Sequence, residues 1–565
     1  MQWNLKEIPP QQSVDQLKDA LGIPEVVATL LVQRGITSFD AAKDFYRPSL
    51  DALHDPMSMR DMDKAVARIE AAIAHEELIM VYGDYDVDGT CSVALMASYL
   101  LTYYDRVSTY IPDRYAEGYG VSLQGIDFAS DNGVGLIIAL DCGVKAMEQV
   151  AYAKEKGVDF IICDHHLPGD QLPDAVAVLD PKRSDCDYPY KELCGCGVGF
   201  KLIQALAAQR SLGIDSLLPY LDLVATAIAA DIVPMTGENR VLAAHGLQVV
   251  NQAPRAGIKA LLAQRDKTNF DISDLVFVVA PRINAAGRMK HGDYAVALLM
   301  AESVDSCLEF AQEIEAFNTS RRSTDEQITA EALAKILDQK EEYRATTVVY
   351  EPHWHKGVIG IVASRLIENY YRPTLVITKS GEQLAGSARS VSGFDVYQAL
   401  ESCKEHMIQF GGHKYAAGFT LEEAQYPAFK DAFEKVVAQT LDESLKTPQL
   451  SVDMELKLED ITPKFYRLIK QFAPFGPGNR TPVFVTRGLK DSGWAKQVGS
   501  DQSHLKFKAT DGQYSFEGIG FGLGKKLDLI QDKQSFDLVY ALDENHWNGK
   551  VSLQLRAKDL KSANL

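Results

Sequence analysis

The chain has 565 residues, 46% of them hydrophobic and 24% charged, a balance that points to several soluble globular domains rather than one core or a disordered chain. No run of about 18 apolar residues offers a membrane span, and Met1-Gln2-Trp3-Asn4-Leu5-Lys6 has no secretory pattern, so no membrane contact and a cytoplasmic location are expected. The net charge of −19 alone speaks against a polyanion partner, yet residues 451–565 hold 17 Lys+Arg against 14 Asp+Glu, so an acidic body carries a slightly basic tail.

From about residue 75 to 235, apolar strand-like runs (ELIMVYG, RVSTYIP, LIIAL, FIIC, AVAVLD) alternate with helical patterns. This is the signature of βαβ units and a mostly parallel sheet, whose ligand site lies off the carboxyl ends of its strands. Residues 302–340 contain no Pro or Gly and predict one long helix joining two lobes. A second α/β region follows at about 346–440, with strands TTVVYE, TLVITK and QLAGSAR. The last region, about 449–565, is rich in short strands and turns and predicts an all-β module, a small barrel. The eight cysteines are scattered and expected to be reduced. Cys194-Gly195-Cys196 is the one close pair, without a second pair or His to complete a zinc site.

The chemistry concentrates at four places, each expected at a strand end. Asp84, Asp86 and Asp88 alternate in GDYDVDG, Asp141 follows LIIAL, Asp164-His165-His166 follows FIIC, and Asp231 follows AIAA. Singly, a strand-end Asp is more often a helix cap than a ligand. Four sites on one sheet edge favour function. Hard carboxylates with one or two imidazoles suit Mn²⁺ or Mg²⁺, and their number suggests two ions a few ångströms apart. A hydroxide bridging such a pair would attack a phosphodiester in line.

Two other motifs share the first stretch. Asp84-x-Asp86-x-Asp88-Gly89 copies the front of an EF-hand loop, but Leu95 stands where that loop needs Glu. Asp86-Val87-Asp88-Gly89-Thr90 also resembles the nucleophile motif of haloacid-dehalogenase phosphatases, a reading that leaves the other three sites unexplained.

GDYDVDG, ALDCGV, CDHH and AADIVPM, in this order, resemble the four motifs of the DHH phosphoesterase superfamily, and GGHKYAAG resembles the signature of its DHHA1 domain. PRINAAGR, WHKGVIGIVASR, GSARS and an OB-fold-like tail extend the likeness over nearly the whole chain, toward the superfamily's single-strand-specific exonucleases. The resemblance implies an α/β fold in which a parallel-sheet DHH lobe is joined by a long helix to a smaller DHHA1 lobe, with an all-β tail. It implies a helical segment at 1–50, a catalytic domain at 51–255, a helical connector at 256–345, the DHHA1 domain at 346–445 and the tail domain at 446–565. The activity implied is two-metal cleavage of single-stranded DNA from its 5′ end to 5′-mononucleotides, in recombination and repair. The alternative is a phosphodiesterase of short oligonucleotides or cyclic dinucleotides. By family, the partners are a helicase and a single-strand-binding protein, and the enzyme is a monomer.

The same resemblance implies that Asp84, Asp86, Asp88, Asp141, His165, His166 and Asp231 hold two divalent ions, Mn²⁺ or Mg²⁺, with Asp141 bridging and Asp164 orienting the histidines. Asp141, His165, His166 and His413 are the expected catalytic set. Arg114, Ser387 and Arg389 are expected to bind the 5′ phosphate, a task for which the guanidinium fork is suited. Gly411 and Gly412 are read as an anion-binding backbone nest preceding His413, and Arg282, Asn284 and Arg288 as contacts to the strand beyond the cut. Arg321 and Arg322 are left open between DNA contacts and interlobe ion pairs, and His353 and His355 are not read as ligands. In the tail, Trp494, Phe507, Tyr514, Phe516 and Trp547 interleave with lysines, an arrangement that stacks on bases; strand alternation favours core positions for Phe507 and Phe516.

Overall fold

A computed structural model describes residues 1–263, 265–547 and 550–563; the side chain of Trp547 lies outside the described set. The chain divides into two compact units, residues 54–231 with 246–448, and residues 1–53 with 232–245 and 449–565. No helix among the described residues is long and apolar enough to cross a membrane.

In the first unit, five parallel strands lie in the order Val107–Tyr110, Leu78–Gly83, Val134–Leu140, Asp159–Cys163, Ala177–Leu179. The central strands are continuous apolar runs because helices cover both faces of a parallel sheet. Helix Val87–Leu100 is buried along nearly its whole length, packed on the sheet and against helices Gly195–Gln209 and Leu221–Ala230. Each fully buried Leu or Val there contributes about 1.5–3 kcal/mol of hydrophobic stabilisation. All five strands point the same way, so their carboxyl ends share one edge.

The expected connector helix spans Val304–Asp338, about 50 Å at 1.5 Å per residue. Beyond it stands a mixed sheet in the order Gln409–His413, Ala416–Leu421, Gln383–Arg389, Thr374–Ser380, Thr347–Tyr350, in which the last two strands are parallel and the others antiparallel.

In the second unit, seven strands form a sheet that closes on itself where Lys490 pairs with Thr510 and Asp491 with Ala509. The segment 1–50, set apart in the sequence as helical, begins with strand Gln2–Leu5, which pairs in parallel with Gln449–Val452. Its helices bury Val14, Leu17, Val27, Leu30 and Leu31 in one core with Phe465, Phe472, Phe507 and Tyr540 of the tail. Phe507 is core, as strand alternation favours, and Phe516 packs against that core. Trp494 and Tyr514 remain exposed, at 57% and 38%.

Candidate metal centre

The triple-aspartate stretch is not extended throughout. Strand Leu78–Gly83 ends before Asp84, and Asp86 is already the N-cap of helix Val87–Leu100, its carboxylate accepting from the Gly89 N–H at 3.1 Å. Asp88 therefore projects from the first helical turn. Gly89 allows this fold-back, because a methyl there would meet the Asp84 backbone at 2.6 Å.

Asp231 corrects a second expectation. It follows helix Leu221–Ala230 as its C-cap, not a strand. The run LDLVATAIAA is apolar because the helix is buried on all sides, and periodicity does not separate a buried helix from a buried strand. Ser387 and Arg389 stand within strand Gln383–Arg389. Gly411, Gly412 and His413 form no nest; they are the end of an edge strand paired with Ala416–Gly418. Gly412 has φ +141°, and a methyl there would meet Ala417 Cα at 2.5 Å, so glycine serves the hairpin.

Asp141 sits just past strand Val134–Leu140 with φ +59°, a left-handed conformation that costs a non-glycine residue of order 1 kcal/mol. Its N–H donates to the Cys163 carbonyl at 2.8 Å, which ties it to the strand end that bears Asp164. Asp164 accepts from the N–H groups of His165 at 2.7 Å, His166 at 3.1 Å and Val144 at 2.9 Å, and pairs with His166 Nδ1 at 2.7 Å. Through its contacts with both histidines, Asp164 fixes His166 so that Nε2 faces outward, 3.4 Å from the Tyr119 hydroxyl.

His165 Nε2 lies 3.2 Å from Asp141 Oδ1, 3.6 Å from Asp231 Oδ2 and 3.9 Å from Asp88 Oδ2. Two overlapping donor groups result, Asp141–His165–His166 and Asp88–His165–Asp231, each with its ligand atoms within 4.8 Å of one another. Asp84 and Asp86 belong to neither group; Asp84 is fully buried beside Asp86. Helix Gly195–Gln209 pins both Asp88 oxygens with the N–H groups of Gly195 and Cys196, each at 2.7 Å. In the sequence only a cysteine pair stands out there. The usable signal is a small-residue helix start, whose free N–H groups receive anions.

Burial and neighbouring carboxylates push Asp84 and Asp141 well above the usual carboxylate range, Asp88 up to about 7 and Asp231 up to about 8. Burial lowers His165 to about 3, so its ring is neutral and keeps a lone pair for ligation. Burial opposes the charge on His166, but Asp164 raises it to about 8; Asp164 itself, despite burial, is held at about 2 by His166. Both Asp84 oxygens, Asp141 Oδ1 and both His165 ring nitrogens are buried without a completed hydrogen bond, although backbone of Tyr85, Gly120 and Leu193 lies near them. So many negative groups and free lone pairs in one dry spot fit divalent cations, which neutralise the charge and fill the lone pairs.

The other lobe brings His413 to this edge, its ring stacked 6.2 Å from that of His166. Arg114 lies over the Tyr85 ring at 3.8 Å, with its Nε buried and unbonded. Arg288 is lowered to about 9 by burial and by Arg114, Arg389 and Arg321, and Arg389 bonds Ser387 Oγ at 3.0 Å. Asn284 Oδ1 is likewise buried without a partner. Arg282 differs: its Nε is paired with Glu315 at 2.6 Å, so its charge is spent within the connector. Arg321 bonds Asn318 and Asp325, and Asp325 also meets Arg365 of the second lobe at 2.7 Å, which places Arg321 in an interlobe ion network.

Three family models match the chain: DHH family, N-terminal domain, at residues 78–228; DHHA1 domain at 342–439; and RecJ OB domain at 452–559. The single-stranded-DNA-specific exonuclease RecJ of Bacillus subtilis (strain 168) is 36% identical over 564 residues, covering 99% of this chain and 70% of that protein. The chain belongs to the RecJ family. RecJ of Escherichia coli (strain K12) is 33% identical, covering 96% of this chain and 97% of its own length. A crystal structure of RecJ from Thermus thermophilus in complex with Mn²⁺ superposes with a TM-score of 0.86 at 27% identity, over 100% of this chain and 80% of that one. A second RecJ structure from that organism, in complex with Mg²⁺, gives 0.80 at 26% identity over 100% and 79%.

Proposed function

We propose that the protein is a metal-dependent exonuclease that degrades single-stranded DNA from the 5′ end to 5′-mononucleotides. The observation that carries this reading is the pair of donor groups sharing His165, with Arg114 and Arg288, which no ion pair among the described residues holds, on the same unit. Asp84, Asp86, Asp88, Asp141, His165, His166 and Asp231 would hold two ions, Mn²⁺ or Mg²⁺. Bound there, the ions would lower the pKa of water to give a nucleophile at neutral pH and would neutralise charge on the phosphoryl oxygens.

The protein groups do the rest. Asp164 keeps the His166 ring fixed through Nδ1, which leaves Nε2 to face the substrate side. His413 supports the scissile phosphate or its leaving oxygen from the opposite lobe. Arg114, Arg288, Ser387 and Arg389 receive the terminal 5′ phosphate, and Asn284 contacts the strand. Residues 51–255 carry the metal centre, 346–445 the facing lobe and 446–565 the strand-holding module. By family, a helicase and a single-strand-binding protein are partners, the enzyme is a monomer, and it works in the cytoplasm in recombination and repair. The full-length likeness to RecJ and the tail module speak against the short-oligonucleotide phosphodiesterase alternative.

Single-stranded DNA labelled at either end, incubated with protein and Mn²⁺ with or without EDTA, tests this. Labelled mononucleotide should appear at once from the 5′ end and only late from the 3′ end, and EDTA should abolish it. Early 3′ release, or release unaffected by EDTA, overturns the proposal.

A further inference from the structure

The loop between strands Val107–Tyr110 and Val134–Leu140 carries Arg114 and, next to it, Tyr115. Tyr115 is 39% exposed, yet it makes contacts to two distant pieces of chain. Its hydroxyl donates to the Arg288 carbonyl, and its ring meets His355 edge-on at 6.1 Å and 86°. Arg288 lies in the last turn of helix Ala280–Met289, where carbonyls have no partner within the helix, so Tyr115 satisfies one of these orphans. The Arg288 side chain turns the other way and donates to the Gly357 carbonyl at 2.9 Å.

Gly357 closes the junction. A methyl on it would collide with the Tyr115 hydroxyl, stand 2.7 Å from the Arg288 carbonyl and 3.0 Å from the His355 ring. Three pieces of chain therefore meet at a point with no room for one carbon. They are the loop of the first lobe, helix Ala280–Met289 and the segment of the second lobe that carries His355 and Gly357. Gly287, in the same helix, sits so close to the metal-site loop that a methyl would lie 2.6 Å from the Tyr85 carbonyl. Tyr85 is the ring on which Arg114 stacks. The junction thus fixes Arg114 through its neighbour in sequence, and Arg288 through both main chain and side chain.

These contacts have a task beyond packing. Arg114 and Arg288 repel each other, and no ion pair among the described residues holds either of them. Like charges left unrestrained move apart, and the free energy of gathering them is recovered only when an anion arrives. A site that keeps them together beforehand binds that anion more tightly.

We propose that Tyr115 is a positioning residue: from its junction with Arg288 and Gly357 it holds Arg114 and Arg288 in place for a phosphorylated 5′ end, and so sets the preference for such ends. This rests on the exonuclease reading above, with the 5′ phosphate as the anion received.

The test compares wild type with Tyr115→Phe, Gly357→Ala and the double variant. Binding of 5′-phosphorylated and 5′-hydroxyl single-stranded oligonucleotides is measured by fluorescence anisotropy in EDTA, and kcat and KM with Mn²⁺. Loss of one hydrogen bond predicts that Tyr115→Phe weakens binding of the phosphorylated end about fivefold, raises its KM to match and changes kcat less than twofold. The preference over hydroxyl ends should shrink by the same factor. Gly357→Ala, which must push the hydroxyl aside, should do likewise, and the double variant should fall well short of the product of the two losses. An unchanged preference in Tyr115→Phe overturns the proposal, as does an equal loss on both kinds of end. Wild type that binds phosphorylated ends preferentially but does not cut refutes the exonuclease reading alone, and Tyr115 is then judged on binding.

Discussion

At the residue scale, the metal centre is a set of acids kept where acids are least stable. Asp88 and Asp231 are raised to about 7 and about 8, while their unfolded values lie near 3.9. The folded protein therefore binds more protons than the unfolded chain between those limits. Stability from these groups is complete below about pH 4 and is lost as the pH climbs through 7 and 8. His166, raised to about 8 by Asp164, has the same sign: its contribution is present below about pH 6.5 and fades through 8. Asp164, held at about 2, has the opposite sign, but its contribution is lost only as the pH falls toward 2. EDTA-treated protein should therefore melt at steadily lower temperature from pH 5 to 8.5, and saturating Mn²⁺ should flatten that slope. A metal-free slope already flat in calorimetry would show that these acids do not share one dry site. These residues were legible in the sequence because acids that directly follow apolar runs have few reasons to recur, whether the run is a strand or, before Asp231, a buried helix. The left-handed Asp141 and the Tyr119 hydroxyl beside His166 were not, because neither a backbone angle nor a loop contact leaves a local pattern.

At the element scale, the parallel sheet places Asp84, Asp141 and Asp164 at one edge, but two helices complete the centre from outside that pattern. Helix Leu221–Ala230 delivers Asp231 from its C-terminal end, and helix Gly195–Gln209 anchors Asp88 at its N-terminal end. The sequence misled on the first because alanines and β-branched residues in a short apolar run suit either structure. It was silent on the second because the partner of Gly195 lies 107 residues away. Gly195 is also a spacer, since a methyl on it would lie 2.6 Å from Asp141 Cβ and 2.7 Å from Asp141 Oδ1. Gly195→Ala should displace Asp141, and with it the helix start whose N–H groups hold Asp88. Disturbing groups that orient ligands costs about 10–100-fold in metal affinity. Titration of Mn²⁺ by calorimetry should show a loss in that range at a temperature where the metal-free variant is folded. Wild-type affinity in the variant would mean that the helix start has no part in the centre.

At the scale of the whole molecule, the number of lobes and the β character of the tail were legible, because periodicity changes sharply at about 346 and 449. The partnership of the chain's two ends was not. Lys6 pairs with Asp453 at 2.7 Å and the Trp3 indole donates to Asp559 at 2.8 Å, contacts that span 447 and 556 positions. No local pattern announces a contact across that distance. Arg240 reinforces the arrangement, its guanidinium donating to carbonyls of Phe45, Phe472, Ala473 and Pro474. The tail module thus folds around an N-terminal segment that supplies part of its core. Leu31, fully buried in that core, tests the dependence. Leu31→Ala should cost about 2–5 kcal/mol in the unit that holds the tail. Calorimetry on the full chain with Mn²⁺ should show a transition that moves down in temperature, while the transition that responds to Mn²⁺ concentration stays in place. Below the shifted transition, cleavage of short single-stranded oligonucleotides should persist. A Leu31→Ala variant whose metal-linked transition falls by as much would show that the two units melt as one.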